Sequence, residues 1–235
     1  MYIDVTMGTL GRHQQFKRSI YALNDQKNVS DIVLYLMDGN VDNSVDLFIN
    51  GNKWGFRNVH IIKEHNVLPD EDRGLWPKIY NYLMKLGKSQ LVTYWSDDLI
   101  PERDCLHIGS RGFNDHMTGA VAFAWQDGPS RPFTIYGTEI HKQVMVNFGL
   151  YRRTVLEQVG FIDDKYKFYN ADQDLSLKIW YIGKKVVRCS EAKVTHSSGG
   201  KSDNKYRSGK WHQHDIEYFR TKWSADNVKH KRIKL

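Results

Sequence analysis

The chain has 235 residues, 40% of them hydrophobic and 26% charged, and its formal net charge is +7. A chain of this length buries roughly 70% of its unfolded surface on folding, so its core needs neither a metal nor a disulfide staple. The apolar share excludes a disordered chain. Two cysteines far apart in the chain exclude a small disulfide-rich knot and match no metal-ligand spacing. The positive excess favours an anionic partner.

The first half of the chain predicts a parallel α/β layer. Residues 3–7 read as a strand, and Phe16, Ile20 and Leu23 then share one face of a helix. Residues 32–37 are a nearly continuous apolar run, which is typical of a strand buried on both faces. Together they predict a right-handed βαβ unit. Further strands are predicted at residues 47–49, 59–62 and 91–95, and a helix at 76–86 that a glycine cap ends at Gly87.

The second half predicts a mixed arrangement, because several of its strands lack long crossover helices. Strands are predicted at residues 120–125, 133–137, 185–189 and 193–196, and helices at 154–159 and around 175–182. Gly160 and Gly183 follow the two helices as C-terminal caps. The sequence therefore predicts one α/β domain with a single mixed, mostly parallel sheet flanked by helices, in which the carboxyl ends of the strands share a crevice.

Two basic segments lie near the end of the chain. Residues 201–211 combine lysine and arginine with two aromatic residues, which is typical either of a solvated loop or of a basic lid that closes over phosphates. Residues 226–235 form a polybasic tail. Each such charge near an anionic membrane contributes about 1 kcal/mol. With no leader peptide and no apolar stretch of spanning length, we expect a cytoplasmic protein with at most weak peripheral membrane contact.

Asp97 and Asp98 directly follow the predicted strand at 91–95. Carboxylates at the carboxyl end of a buried strand lie where open α/β sheets bind ligands, and divalent cations there take oxygen ligands from carboxylates and phosphates. The alternative is a simple turn in which Asp98 caps the chain before Pro101. Both interpretations are compatible with these residues alone.

Asp172, Asp174 and His196 are the other candidates for chemistry. The two acids precede a predicted helix, where one can cap the helix and the other is left as a candidate general base. His196 follows a predicted strand and is either a hydrogen-bonded loop residue or, with Asp97, a metal ligand. Imidazole suits Mn²⁺ better than Mg²⁺.

The order of these segments resembles a family 2 glycosyltransferase with the nucleotide-sugar-binding fold called GT-A. The resemblance covers roughly residues 2–200 and is most specific in the second half. It rests on an arginine after the first strand, Asp38-Gly39 after the second, the acid pair, Gly149-Leu150-Tyr151-Arg152-Arg153, Val159-Gly160-Phe161-Ile162-Asp163, Asp172-Gln173-Asp174-Leu175-Ser176-Leu177-Lys178, Gly183 and His196.

The resemblance implies a role for each matching position. A single domain would span about residues 1–225, with a nucleotide-binding half at about 1–105, an acceptor-binding half at about 106–200 and the lid at 201–211. Asp172 would be the general base, and Asp97 and His196 would hold the metal. The remaining implied contacts are Thr6, Gly8, Arg12, Asp38, Asp97, Asp98 and Arg207 with the nucleotide sugar, and Asp174 and Trp125 with the acceptor.

Two positions depart from the family's pattern. Trp95 stands where its acidic run usually begins, so one carboxylate is missing, and Ala171 stands where a glutamate usually precedes the catalytic acid. The implied partners are a UDP-linked sugar, a glycan or glycoconjugate acceptor and a divalent metal, Mn²⁺ in preference to Mg²⁺, with no nucleic acid.

The implied reaction is inverting, because a single base acts opposite a nucleoside diphosphate leaving group. Two other functions remain open. A nucleotidyltransferase would release pyrophosphate, and an inactive or non-enzymatic basic module would bind polysaccharide or nucleic acid.

Overall fold

The computed structural model describes residues 2–29, 31–52, 56–65, 67–69, 72, 74–197, 209–231, 233 and 235. Within these residues, eight strands form one mixed sheet in the order β3-β2-β1-β4-β7-β6-β8-β5. The strands are β1 Tyr2–Thr9, β2 Asp31–Asp38, β3 Val59–His65, β4 Leu91–Ser96, β5 Leu99–Pro101, β6 Thr118–Asp127, β7 Gly149–Arg152 and β8 Lys185–His196.

Helices cover both faces of the sheet. They are α1 His13–Asn24, α2 Ser44–Gly51, α3 Trp76–Leu86, α4 Cys105–Ser110, α5 Arg153–Val159, α6 Ala171–Tyr181, α7 Gly209–Lys222 and α8 Ala225–Lys229, with a 3₁₀ turn at Arg111–Phe113. Helices α1, α2 and α4 pack in one hydrophobic core, and α3, α5, α6 and α7 pack in the other. No helix in the described part of the chain is long and apolar enough to cross a bilayer.

Strand directions bring the carboxyl ends of β1, β2, β4, β6 and β8 to one edge of the sheet, together with that of β3, which is parallel to β2. β1 runs parallel to β2 and β4. β7 is antiparallel to both β4 and β6, so β6 runs in the same direction as β4, and β8 is parallel to β6. The carboxyl ends of these strands therefore meet at the same edge. The residues at the ends of β1, β2, β4, β6 and β8 are Thr9, Asp38, Ser96, Asp127 and His196.

Four predicted strands differ from the structure. Residues 47–49 lie in helix α2, where Val45 is fully buried and Phe48 packs edge-on against Phe16 and Tyr21 of α1. Residues 133–137 make only isolated bridges, Trp125 to Thr134 and Gly137 to Val144. The two predicted strands at 185–189 and 193–196 are one strand, β8, whose register against β6 shifts between Phe123 and Ala124.

Glycines after helices show two different roles. Gly160 and Gly183 have φ of 74° and 79°, as expected for left-handed positions at helix ends. Helix α3 ends at Leu86 with Gly87 as its C-cap residue, as predicted, but Gly87 has an extended backbone with φ of −70° and not the left-handed conformation of a glycine cap. A Cβ there would lie 2.1 Å from Asp4 Oδ2 and 2.7 Å from Arg153 Nη2. Gly87 therefore makes room for a buried ion pair.

The predicted basic tail is partly folded onto the domain. Residues 225–229 form α8, which Ser224 caps by accepting a hydrogen bond from the Asn227 amide. Ile233 is 9% exposed and packs in the same core as Phe219 and Trp223. The apolar residues of this segment thus contribute to the core, while Lys229 and Lys231 remain exposed.

Candidate active site

The centre of the site is an arginine held by two acids. The Arg12 guanidinium, at the start of α1, contacts the carboxylates of both Asp97 and Asp98 just beyond β4. Both acids are buried, whereas the Arg12 side chain is 36% exposed. Thr9, at the end of β1, donates a hydrogen bond of 3.0 Å to Asp97 Oδ2. Asp97 and Asp98 therefore form the turn between β4 and β5, and their carboxylates also belong to a buried charge cluster.

The two acids ionise differently. Burial raises the pKa of Asp97 to about 7, although Arg12 acts against this shift. Burial also acts to raise the pKa of Asp98, but hydrogen bonding from His196 and the charge of Arg12 outweigh it and lower the pKa to about 2. Near neutral pH Asp98 is therefore an anion, whereas Asp97 is close to the midpoint of its ionisation.

His196 lies between two carboxylates. Its Nε2 is 3.3 Å from Asp98 Oδ1, and its Nδ1 is 3.1 Å from Asp127 Oδ1. Burial alone would lower the pKa of His196, yet the bonds to Asp98 and Asp127 raise it above 6.5. Both ring nitrogens can donate only in the imidazolium form. This arrangement therefore favours a positively charged His196.

In the described arrangement, the Arg12 guanidinium stands at Asp97, where a divalent cation would have to bind. Asp97 Oδ1 is buried and accepts no hydrogen bond from the described residues, so a cation would satisfy it. However, the Arg12 guanidinium already contacts this oxygen, and His196 Nε2 faces Asp98 rather than an open position. No three acid, histidine or cysteine side chains converge on a metal position among the residues described.

The predicted nucleotide-pocket residues lie at the same edge, with one exception. Asp38 ends β2 and accepts hydrogen bonds from the Asn40 amide and side chain, at 3.0 and 2.9 Å. Gly8 is partly exposed and packs on Ile79. Thr6 is fully buried in mid-strand, where it donates to the Thr93 carbonyl at 3.1 Å. Thr6 therefore has a structural contact and is out of reach of a ligand.

Asp172 lies on helix α6, on the side of the carboxyl half of the sheet. Helix α6 directly precedes β8 and packs against it, so its first turn points toward the carboxyl half of that strand, and the charge of Asp172 acts on Tyr94 of β4. Asp172 is in the first turn of α6, partly exposed, and its Oδ1 accepts the Gln173 amide at 2.8 Å. Burial raises the pKa of Asp172 to about 6. Such a carboxylate is ionised at neutral pH yet basic enough to accept a proton.

Asp174, assigned above to the acceptor side, has a structural environment instead. It is fully buried, and its Oδ1 accepts from Trp223 Nε1 and contacts Lys222 Nζ, each at 2.8 Å. Tyr166 donates to the same oxygen at 3.2 Å. These contacts join α6 to α7 and leave the carboxylate no open face toward an acceptor.

Trp125, the other acceptor-side residue, lies beside the charge cluster. Its ring packs edge-on against His196 at 6.2 Å between centroids and against Phe148 at 5.7 Å. Its Nε1 is buried and makes no hydrogen bond to the described residues. The indole is thus at the candidate site, with a buried donor that no described residue accepts.

A row of aromatic rings lies between the two groups of acids. Tyr80 and Tyr94 stack with their centroids 5.5 Å apart, and Tyr94 is 5.9 Å from Tyr151. Burial and the nearby charge of Asp97 raise the pKa of Tyr80, while burial and then the neighbouring Tyr151 and Asp172 raise that of Tyr94. The row therefore borders the Asp97 cluster at one end and Asp172 at the other.

Two residues of the cluster were missed from the sequence. Thr9 reaches Asp97, and Asp127 holds His196. Asp127 ends the observed strand β6, two residues beyond the predicted strand at 120–125, and pairs in register with His196. An acid just after a strand that neighbours the histidine was the available signal. Arg207 and almost all of the predicted lid lie outside the described residues.

Comparison with known proteins finds similarity at the level of structure. No protein-family model matches the sequence, and no curated protein matches it. TarS of S. aureus has a TM-score of 0.65 at 12% identity, over 84% of this chain and 37% of TarS. TarS 1–349 in complex with UDP has a TM-score of 0.66 at 13% identity, over 84% and 60%.

A third similar structure is the mannosyltransferase PcManGT from Pyrobaculum calidifontis, in complex with GDP-Man and Mn²⁺. Its TM-score is 0.63 at 14% identity, over 86% of this chain and 58% of PcManGT. The chain has a glycosyltransferase fold. It spans between 37% and 60% of the length of these three structures. The predicted mixed α/β sheet flanked by helices is confirmed.

Proposed function

We propose that the protein is an inverting glycosyltransferase of family 2 with a GT-A fold. It would move a sugar from a nucleoside-diphosphate sugar to a hydroxyl of a glycan or glycoconjugate. The observation that carries the proposal is Asp172, a carboxylate with a pKa of about 6 on the side of the carboxyl half of the sheet, where the Arg12, Asp97 and Asp98 cluster also lies. A base and an anion-binding group in the same half of the sheet are the two parts that such a transfer requires.

The proposed step moves one proton and one glycosyl group. Asp172 takes the proton of the acceptor hydroxyl while its oxygen bonds to the anomeric carbon. The bond from that carbon to the diphosphate breaks, and its electron pair leaves with the nucleoside diphosphate. With one carboxylate on the attacking face and no covalent intermediate, the anomeric configuration inverts.

Charge at the cluster bears on how the diphosphate is bound. Arg12 and His196 supply positive charge, and the carboxylates of Asp97, Asp98 and Asp127 balance or exceed it. A diphosphate would therefore need a further cation. We expect this to be Mn²⁺, which would have to displace Arg12 from Asp97, with Arg207 contributing from the lid. Structures of similar fold hold UDP-GlcNAc or GDP-Man, and we propose a UDP-linked donor here.

The decisive experiment is product analysis with a panel of nucleotide sugars and glycan acceptors. We expect wild-type protein to release a nucleoside diphosphate and form an inverted glycoside, identified by NMR of the anomeric proton. Asp172→Asn should reduce kcat by at least about a hundredfold. The matched control is Asp164→Asn, the same chemical change at an exposed position eight residues away.

Other outcomes would overturn the proposal. Pyrophosphate release from a nucleoside triphosphate would indicate a nucleotidyltransferase. Tight, salt-sensitive binding of oligonucleotide or polysaccharide without turnover would indicate a binding module. Normal turnover by Asp172→Asn would remove Asp172 as the base. Sedimentation with anionic vesicles would test the weak membrane contact that we propose for the exposed Lys229 and Lys231.

A further inference from the structure

A buried carboxylate on α7 binds the loop that leads into α6. Asp215 is fully buried. Its Oδ2 accepts hydrogen bonds from the amides of Phe168 and Tyr169, each at 2.7 Å, and the Lys167 amide lies 3.0 Å from Oδ1 and 3.2 Å from Oδ2. His214 Nδ1 also contacts Oδ1, at 2.8 Å. Three consecutive amides thus converge on one side chain from a distant part of the chain.

The other side of the same loop is held by α3. Trp76 Nε1 donates to the Phe168 carbonyl at 2.6 Å. The Phe168 peptide is therefore fixed from both directions, through its amide by Asp215 and through its carbonyl by Trp76. Backbone groups that no helix or strand satisfies need such partners when they are enclosed. Asp215 makes more of these hydrogen bonds than Trp76 does, because a carboxylate can accept several charge-assisted hydrogen bonds at once.

The loop ends at Asn170, whose backbone conformation is one that few residue types favour. Asn170 has φ of 61° and ψ of 0°, a left-handed conformation that is unfavourable for most residues. Ala171 then begins α6, and Asp172 follows. The Asn170 carbonyl accepts the Asp174 amide at 2.8 Å, so the turn and the first turn of the helix move together. Because Asp172 lies only three residues beyond Tyr169, we expect a displacement of residues 167–169 to displace Asp172 as well.

We propose that Asp215 is a positioning residue that holds Asp172 in place through the amides of residues 167–169. Asp215 does not touch the reacting atoms. The inference rests on the proposed function for its kinetic consequence, but the placement of Asp172 can be tested without any substrate.

Two substitutions should give graded effects. In Asp215→Asn, an amide oxygen at the position of Oδ2 can still accept from Phe168 and Tyr169, but the new NH₂ group faces the donor of Lys167. In Asp215→Ala, all three acceptor contacts are lost. The matched control is Glu217→Gln on the same helix, because Glu217 is exposed and bonds to Gln213 within α7.

The substrate-free measurements are amide exchange and carboxyl titration by NMR. We expect Asp215→Ala to lose at least about tenfold of the exchange protection at residues 167–169. The pKa of Asp172 should move from about 6 toward that of an exposed aspartate as water reaches it. Asp215→Asn should lie between Asp215→Ala and wild type, and Glu217→Gln should match wild type. Unchanged protection and an unchanged Asp172 titration in Asp215→Ala would overturn the proposal.

The kinetic measurement separates positioning from general instability. For the donor that wild type uses, Asp215→Ala should lower kcat by about a hundredfold, the scale of a misplaced catalytic group, with KM for the donor within about threefold. Leu23→Ala, in the core on the opposite face of the sheet, is the control for lost stability and should keep kcat at temperatures where it is folded. An equal loss of kcat in Leu23→Ala would overturn the positioning role. Absence of turnover by wild type would instead refute the proposed function, and the titration would still decide the role of Asp215.

Discussion

Asp127 and His196 end two parallel strands in register, and their side chains meet at 3.1 Å between Oδ1 and Nδ1. Asp98 approaches the other ring nitrogen at 3.3 Å. The imidazole thus connects Asp98, after β4, with Asp127 at the end of β6. The pKa of His196 should therefore change when either carboxylate is altered.

Asp127→Asn should lower the pKa of His196. The folded-state pKa of this histidine is raised, so its stabilising effect is full below its unfolded pKa of about 6.5 and is lost as pH rises through the folded pKa. The variant should therefore lose more stability near pH 5.5 than near pH 8.5. NMR titration of the His196 ring and urea unfolding at the two pH values would test this. The control is Glu191→Gln, because Glu191 is an exposed acid on β8, the strand that carries His196.

Arg12→Gln should increase affinity for Mn²⁺ in the absence of nucleotide. Arg12 contacts both Asp97 and Asp98, and without it the buried Asp97 oxygen has no cation beside it. Calorimetry should show affinity at least about tenfold above wild type, since like charges compete for one position. Arg18→Gln, exposed on α1, should leave it unchanged. Equal Mn²⁺ affinity in wild type and Arg12→Gln would show that Arg12 does not compete with a metal.

The turnover rate should rise with pH until Asp172 is ionised, with a midpoint near its pKa of about 6. Stability should respond in the opposite direction. Because the folded-state pKa exceeds the unfolded value, ionisation of Asp172 costs stability as pH rises from about 4 to about 6. Asp172→Asn should therefore raise Tm by at least about 2 °C at pH 8 and give no gain at pH 4. A lower Tm at pH 8 would contradict the assigned burial of this carboxylate.

Gly87→Ala should destabilise the protein without any conflict in backbone conformation. The added methyl group would meet the buried ion pair between Asp4 and Arg153, whose atoms are 2.8 Å apart. Separating such a pair should cost at least about 2 kcal/mol in urea unfolding. Gly51→Ala is the matched control, since a Cβ there meets nothing within 4 Å. It should be neutral or stabilising by up to about 1 kcal/mol.

Ile233→Ala should lower the free energy of unfolding by about 2 to 5 kcal/mol, the usual range for a buried isoleucine. Leu235→Ala, where the side chain is 44% exposed, should have little effect. A chain that ends after Asn227 should show the same loss, which differs from the effect expected of an unfolded basic tail. Equal stability of Ile233→Ala and wild type would show that this segment does not contribute to the core.

The spacing of apolar residues was sufficient to predict the helices and strands whose burial leaves a regular pattern in the sequence. The helix at Phe16, Ile20 and Leu23 and the apolar strand β2 follow from spacing alone, since burial on one face or on two leaves a direct pattern. Residues 47–49 were mistaken for a strand because three apolar residues fit a short strand and a helix equally well. The contacts of Phe48 with Phe16 and Tyr21 of α1 favour the helix, and these contacts become visible only in the structure.

Contacts between distant residues were harder to foresee. The acid pair and Asp172 could be recognised from their order along the chain. The ion pairs of Arg12 with both acids could not, because they depend on the pairing of β1 with β4. Asp215 gave no signal at all, because the amides that it binds are backbone groups and leave no trace in residue type. The packing of Gly87 against the ion pair of Asp4 and Arg153 was likewise not predictable, because both partners are distant in the chain.

The order in which the parts of the site occur along the chain has a consequence for synthesis. Every strand of the sheet precedes α7, so a nascent chain can assemble its whole sheet before Asp215 leaves the ribosome. Until then the Phe168 peptide would lack its buried acceptor, and the turn at Asn170 would be free to relax. The loop that precedes Asp172 would therefore acquire its buried acceptor only after the sheet that surrounds it.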